Sequence, residues 1–177
     1  MALQNRVTPF GDIVAVPDRG LFIGNRGIIH DAATRTIKRR WAHKNWLVCV
    51  CEFKGGRRSM MSPGHWTELF FLDEATALAA AHRPCFECRR ADAKAFRAAW
   101  ARGNSSTLPR AKAMDAVLHA ERLSGRAKRL HPVDQDLPDG AMVAVDSDSF
   151  VIIGAAHGAG RRRGTRLWAR CLPPRCC

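Results

Sequence analysis

Cys85 and Cys88 stand with two residues between them in the run 70–90, FFLDEATALAAAHRPCFECRR. Two thiols at that spacing can converge on one cation, because the turn between them aims backbone N–H groups at the sulfurs and Zn²⁺ takes thiolates readily. Such a pair supplies half of a tetrahedral site. The other half is sought upstream, in Cys49 and Cys51 of WLVCVCEF. Read as a strand, that run turns Leu47, Cys49, Cys51 and Phe53 to one face. The expected ligands of a zinc ion are therefore Cys49, Cys51, Cys85 and Cys88. The other possibility is that Cys51 is an ordinary thiol and His82, His43 or His119 replaces it.

Three further constellations carry possible chemistry. His30 beside Asp31 offers two groups able to bind metal or to act as acid and base. Asp115 four residues before His119 could orient that ring for the same work if both lie on one helix, the alternative being a plain surface pair. In Gly24-Asn25-Arg26-Gly27, the glycines favour positive φ and close backbone approach, and Arg26 could meet a phosphate there or simply face solvent.

These groups need elements to hold them. Residues 12–23, DIVAVPDRGLFI, read as two short strands joined at Pro17 to Gly20. The run 46–53, a Gly55-Gly56 turn and residues 58–61 read as a hairpin. Leu69, Phe70 and Phe71 extend it as a third strand. Asp73 is placed to cap a short Ala-rich helix over 74–81. Helices follow over 91–102, with Phe96 and Trp100 four apart, and over about 111–123. A final hairpin spans 137–154 around Asp146-Ser147-Asp148-Ser149. The expected fold is α+β: a small antiparallel sheet of hairpins, two to three helices, a zinc staple, and a flexible basic tail. We expect one domain over 1–154 and a disordered Arg/Gly/Pro-rich tail over 155–177.

The chain has 177 residues, 46% of them hydrophobic and 25% charged, a globular composition. Its 29 Lys and Arg against 16 Asp and Glu give a formal charge of +13, which favours a polyanionic partner, nucleic acid before a membrane surface. Six arginines and no acid follow Gly158, so much of that excess belongs to the tail. No apolar run approaches the roughly 20 residues that span a bilayer, and the N-terminus lacks the layout of a secretory signal. A cytoplasmic protein is expected, in which clustered cysteines bind metal rather than form disulfides.

The residues Phe71, Ala75, Ala77, Leu78, Ala79 and Ala80, then Arg83-Pro84-Cys85 and Cys88-Arg89, resemble the metal-binding domain of the Ada DNA-repair family. The match covers about 20 residues of the chain. The resemblance implies that Cys85 and Cys88 are the downstream zinc ligands of a site lying beside DNA. In that family one upstream cysteine accepts a methyl group from a phosphotriester, which here would fall to Cys49 or Cys51. The upstream spacing differs, since the family has three residues between its cysteines and this chain has one. The GNRG, TELFFLDEA and HRPC runs also look like those of an uncharacterised bacterial family, which implies no known activity.

The favoured expectation is a zinc-binding, nucleic-acid-binding protein associated with DNA repair, DNA being the favoured partner. Arg57, Arg58, Arg83, Arg89, Arg90, Arg39 and Arg40 would contact phosphates, with Trp41 a stacking surface. The alternatives are a metal-dependent nuclease using His30, Asp31, Asp115 and His119, a zinc-thiolate methyl acceptor, and a structural zinc adaptor for protein partners.

Overall fold

Two-to-six-residue strands, not long ones, build the three sheets among the described residues. The computed structural model describes residues 2–55, 59–133 and 137–153, and the strand Leu167–Arg170. Two compact units, Met1–Arg129 and Leu130–Cys177, stand where the sequence suggests one domain to residue 154 and a tail.

In the first unit, β1 (Arg6–Val7), β2 (Ile13–Val14), β3 (Phe22–Asn25), β4 (Leu47–Val50), β5 (Leu69–Phe71) and β6 (Arg83–Pro84) form a six-stranded sheet. Its order is β2-β1-β5-β3-β4-β6. The sheet is mixed, because β1 runs parallel to β5 and β4 parallel to β6, while β3 is antiparallel to both its neighbours. The fold is thus α+β, with three helices among the described residues: α1 (Glu74–Ala79), α2 (Arg90–Gly103) and α3 (Ala111–Glu121). Asp73 caps α1 by accepting from the Thr76 N–H at 2.7 Å, as its position before the Ala-rich run implies. Phe96 and Trp100 of α2 are half-buried.

Val7, Ile29, Val48, Leu69, Phe71, Ala77 and Ala80 form the core. The two alanines let α1 lie close on β5, since a larger side chain there would hold the helix off.

Two expected pairings are replaced. The hairpin over 46–61 does not form: β4 ends at Val50, and its edges are taken by β3 and β6. Met61 instead turns inward with φ 56° and is fully buried, its N–H bonded to a Glu68 carboxylate oxygen at 2.7 Å. The strands expected within 12–23 do form, but β2 pairs with β1, and β3 with β4 and β5.

In the second unit, β9 (Met142–Val145) and β10 (Asp148–Ile153) form the expected hairpin, with Asp146 in the left-handed region at its turn. Between the units' sheets in sequence lies a small ladder of β7 (Leu123–Ser124) and β8 (Ala127–Lys128), which belongs to the first unit. The strand β11 (Leu167–Arg170) pairs antiparallel with β10, within a stretch that has no evident periodicity in sequence. The rest of the expected tail, 155–166 and 171–177, lies outside the described residues.

Candidate metal centre

The register between β4 and β6 creates the site. These strands run parallel with Val48 opposite Pro84, and the Cys85 N–H donates to the Val48 carbonyl at 3.0 Å. One residue further along each chain stand Cys49 and Cys85, so parallel pairing sets their side chains next to one another. The turn after β6 then brings Cys88 round. The Glu87 N–H points at the Cys85 sulfur, 3.4 Å away, and the Arg89 N–H closes the turn on the Cys85 carbonyl at 3.1 Å.

The Sγ atoms of Cys49, Cys85 and Cys88 all lie within 4.8 Å of one another, and all three residues are half-buried. A tetrahedral ion with metal–sulfur bonds of about 2.3 Å holds its sulfurs about 3.8 Å apart, a separation that falls within this limit. The three cysteines can therefore hold a metal ion.

Their protonation suits that role. The Cys49 S–H supports a thiolate on Cys85 and, with help from the Glu87 and Cys88 N–H groups, pulls its pKa down to about 5. Cys49 is pushed far up, by Cys85 first and then by burial. Burial also raises Cys88. One thiolate thus forms readily and discourages the others, until a divalent cation displaces the remaining protons.

Cys51 is not in this group. Because β4 stops at Val50, the alternation that would align Cys51 with Cys49 is broken, and its exposed S–H donates to the Leu21 carbonyl at 3.4 Å. Burial, then Glu52, raises its pKa. None of the three histidines considered in its place joins the cluster either. His82 is fully buried, accepts from Arg26 Nε at 3.2 Å, and is held neutral by burial, Arg26 and Arg122. His43 packs on Gly27, where an added Cβ would come within 2.9 Å of its ring. His119 packs edge-on against Trp41 and Trp46, its pKa lowered by burial and then by Arg122 and Lys44.

The groups considered for hydrolysis are spent separately. His30 Nδ1 bonds Thr67 Oγ1 at 2.6 Å. Asp31 folds the following turn, accepting from the Ala33 and Thr34 N–H groups, and pairs with Lys38; that lysine first, then Thr34, holds its carboxyl well below the usual range. Asp115 does not orient His119. It forms a two-pronged ion pair with Arg83, both contacts 2.7 Å, and both side chains are buried. Among the described residues, no other trio of His, Cys, Asp or Glu ligand atoms comes together.

The expected phosphate-contacting residues divide sharply. Arg83 is tied to Asp115 as above. Arg89 is buried between Glu74 and Asp92; burial opposes its charge, but these two carboxylates outweigh it and raise its pKa. Arg40 pairs with Asp12 at 3.0 Å. Trp41 is half-buried, its ring 6.0 Å from that of Trp46. Arg39 and Arg90 are exposed. Arg57 and Arg58 lie outside the described residues.

The GNRG run is not an open turn. Gly24 and Asn25 belong to β3, where a Cβ on Gly24 would sit 2.0 Å from the Leu47 carbonyl oxygen. Only Gly27 has positive φ, 98°. The Arg26 side chain goes into the protein, 1% exposed.

In comparisons with known proteins, no family model, no curated protein and no solved structure matches this chain. Among the described residues, no helix is long and apolar enough to cross a membrane.

Proposed function

We propose that the protein binds zinc through Cys49, Cys85 and Cys88 and works as a metal-stapled nucleic-acid-binding protein, DNA being the favoured partner. The observation that carries the zinc is the convergence of three sulfurs within 4.8 Å from strand β4 and the segment that follows β6. An all-thiolate donor set selects Zn²⁺ over the hard cations, which prefer oxygen. The resemblance to the Ada zinc domain enters through Cys85 and Cys88, and DNA repair is the setting it suggests. The nucleic-acid reading is supported by the +13 formal charge and by exposed arginines such as Arg39 and Arg90.

In this reading the ion cross-links β4 to the turn leading into α2, beside the β4–β6 pairing, so metal binding contributes to folding directly. Metal analysis of purified protein should return one zinc per chain. Cys49→Ser, Cys85→Ser and Cys88→Ser should each lower zinc content and thermal stability, while Cys51→Ser leaves both in place. Zinc-free wild-type protein whose stability is unmoved by Cys85→Ser would sink the proposal.

A further inference from the structure

Arg26 and Arg122 flank the same indole, their guanidinium carbons 4.1 and 4.6 Å from the Trp46 ring centroid. Two cations on one ring repel each other, and a ring quadrupole offsets only part of that. Around them opens a small cleft, also lined by Arg40 and Lys128, with Gly11 at its wall. All of these residues belong to the first unit.

The carboxylates nearby are already committed. Asp12, the acid that most directly supports Arg26, pairs with Arg40, and Asp115, which supports Arg122, is held by both prongs of Arg83. Arg26 has one bond, to His82, and its second terminal nitrogen is buried with no partner among the described residues. Arg122 spends Nε on the Leu118 carbonyl and one terminal nitrogen on that of Lys44, leaving the other buried and unpartnered. Among the described residues, Lys128 reaches a backbone carbonyl, that of Ala79.

A buried charge without a partner is costly, and here Arg26, Arg122 and Lys128 share one cleft with Arg40, which Asp12 pairs. The strain is visible in the charges themselves. Burial, then Arg40 and Arg122, pushes Arg26 down to about 9, and burial pushes Arg122 down to about 10. Lys128 is lowered by burial, Arg122 and Arg26.

We propose that this cleft is a binding site for a phosphate group, held by Arg26, Arg122, Arg40 and Lys128 over the edge of Trp46. A phosphate dianion answers the arrangement better than a carboxylate, because its oxygens accept from several directions and two charges face four cations. Gly11 stands beside the site: an added Cβ would be in ordinary contact with the unpartnered Arg26 nitrogen, 3.6 Å away. The site is built from other residues than the cysteine cluster and does not depend on the zinc or nucleic-acid reading.

The test is thermal unfolding of the full chain in inorganic phosphate against chloride at matched ionic strength, followed by titration calorimetry. The midpoint should rise with phosphate and saturate. Lys128→Met and Arg40→Gln should each weaken phosphate about tenfold or more, as expected for losing a charge-assisted bond. Lys128→Arg should largely keep binding, and Lys112→Gln, an exposed change on α3, should leave it unaltered. A purely structural role for Lys128 would lower the baseline midpoint in Lys128→Met yet leave the phosphate dependence intact, which overturns the proposal. So does the absence of any phosphate-specific rise in the wild type.

A nucleoside 5′-monophosphate and a pair of oligonucleotides, 5′-phosphorylated and 5′-hydroxyl, identify the source of the group. Preference for the phosphorylated oligonucleotide assigns the cleft to a chain end. Binding of only phosphate and the mononucleotide assigns it to a small ligand. Either result upholds the phosphate site, and neither bears on whether duplex binds elsewhere.

Discussion

At the scale of single residues, Cys85 and Arg83 show how neighbours set the behaviour of a side chain. In metal-stripped protein, the Cys49 S–H and two backbone N–H groups stabilise a thiolate on Cys85, whereas Cys49 keeps its proton. The thiolate is the nucleophile, so alkylation of Cys85 should switch on as pH rises through about 5, well ahead of Cys49 at neutral pH. Mass spectrometry of partly alkylated peptides checks this, and zinc should suppress labelling at both positions. Equal rates would mean that the sulfurs are not hydrogen-bonded as described. Arg83, two residues upstream, is held by Asp115 in a buried pair. Removing one partner of such a pair strands the other charge. Arg83→Met should therefore cost about 3–5 kcal/mol of stability, and adding Asp115→Leu should recover much of it. Chemical denaturation of the two variants decides; a double variant no more stable than Arg83→Met would show that the stranded carboxylate is not the source of the loss.

At the scale of elements, strand pairing decides which residues meet. The Cys85–Cys88 turn, the α1 cap and the three helices are readable in the sequence because each rests on a local signal: a two-residue spacing, an Asp before an Ala-rich run, a helical period. The upstream half of the metal site is not local. It depends on β6, a two-residue strand containing Pro84, running parallel to β4; a proline loses a ladder donor and makes so short a strand nearly silent in sequence. The missing hairpin after Phe53 and the loss of Cys51 from the cluster share that cause, since β4 is flanked on both sides and ends at Val50. Likewise, His119 sits four residues from Asp115 on α3, but the acid turns to Arg83 on a distant strand. The spacing is a necessary condition for their pairing and not a sufficient one. Gly24 shows the same limit, for it is required by packing between β4 and β5 and not by a turn. Gly24→Ala should push a methyl into the Leu47 carbonyl and the Phe71 ring, and should destabilise by about 3 kcal/mol. A thermal melt close to wild type would mean that β3 shifts freely, against the register seen here.

At the scale of the whole molecule, the question is where the positive charge is free to act. Formal charge treats every arginine alike, but Arg83 and Arg89 are buried in ion pairs and Arg40 is paired with Asp12. Nucleic acid would have to displace those partners to use them. Arg39 and Arg90 are exposed, and six more arginines follow Gly158. On the proposed reading, affinity for duplex DNA falls linearly with salt on logarithmic axes, with a slope that counts phosphate contacts, each worth about 0.9. The full-length double variant Arg39→Gln/Arg90→Gln should flatten that slope by about 2 without loss of zinc. A second full-length protein with the six arginines after Gly158 changed to Gln measures the other source. If it alone abolishes binding while the double variant keeps the wild-type slope, the zinc-bearing unit is not the interface. If the double variant flattens the slope and the second protein still binds, the contact belongs to the first unit's exposed Arg39 and Arg90, the latter two residues beyond Cys88, where the metal would fix the start of α2.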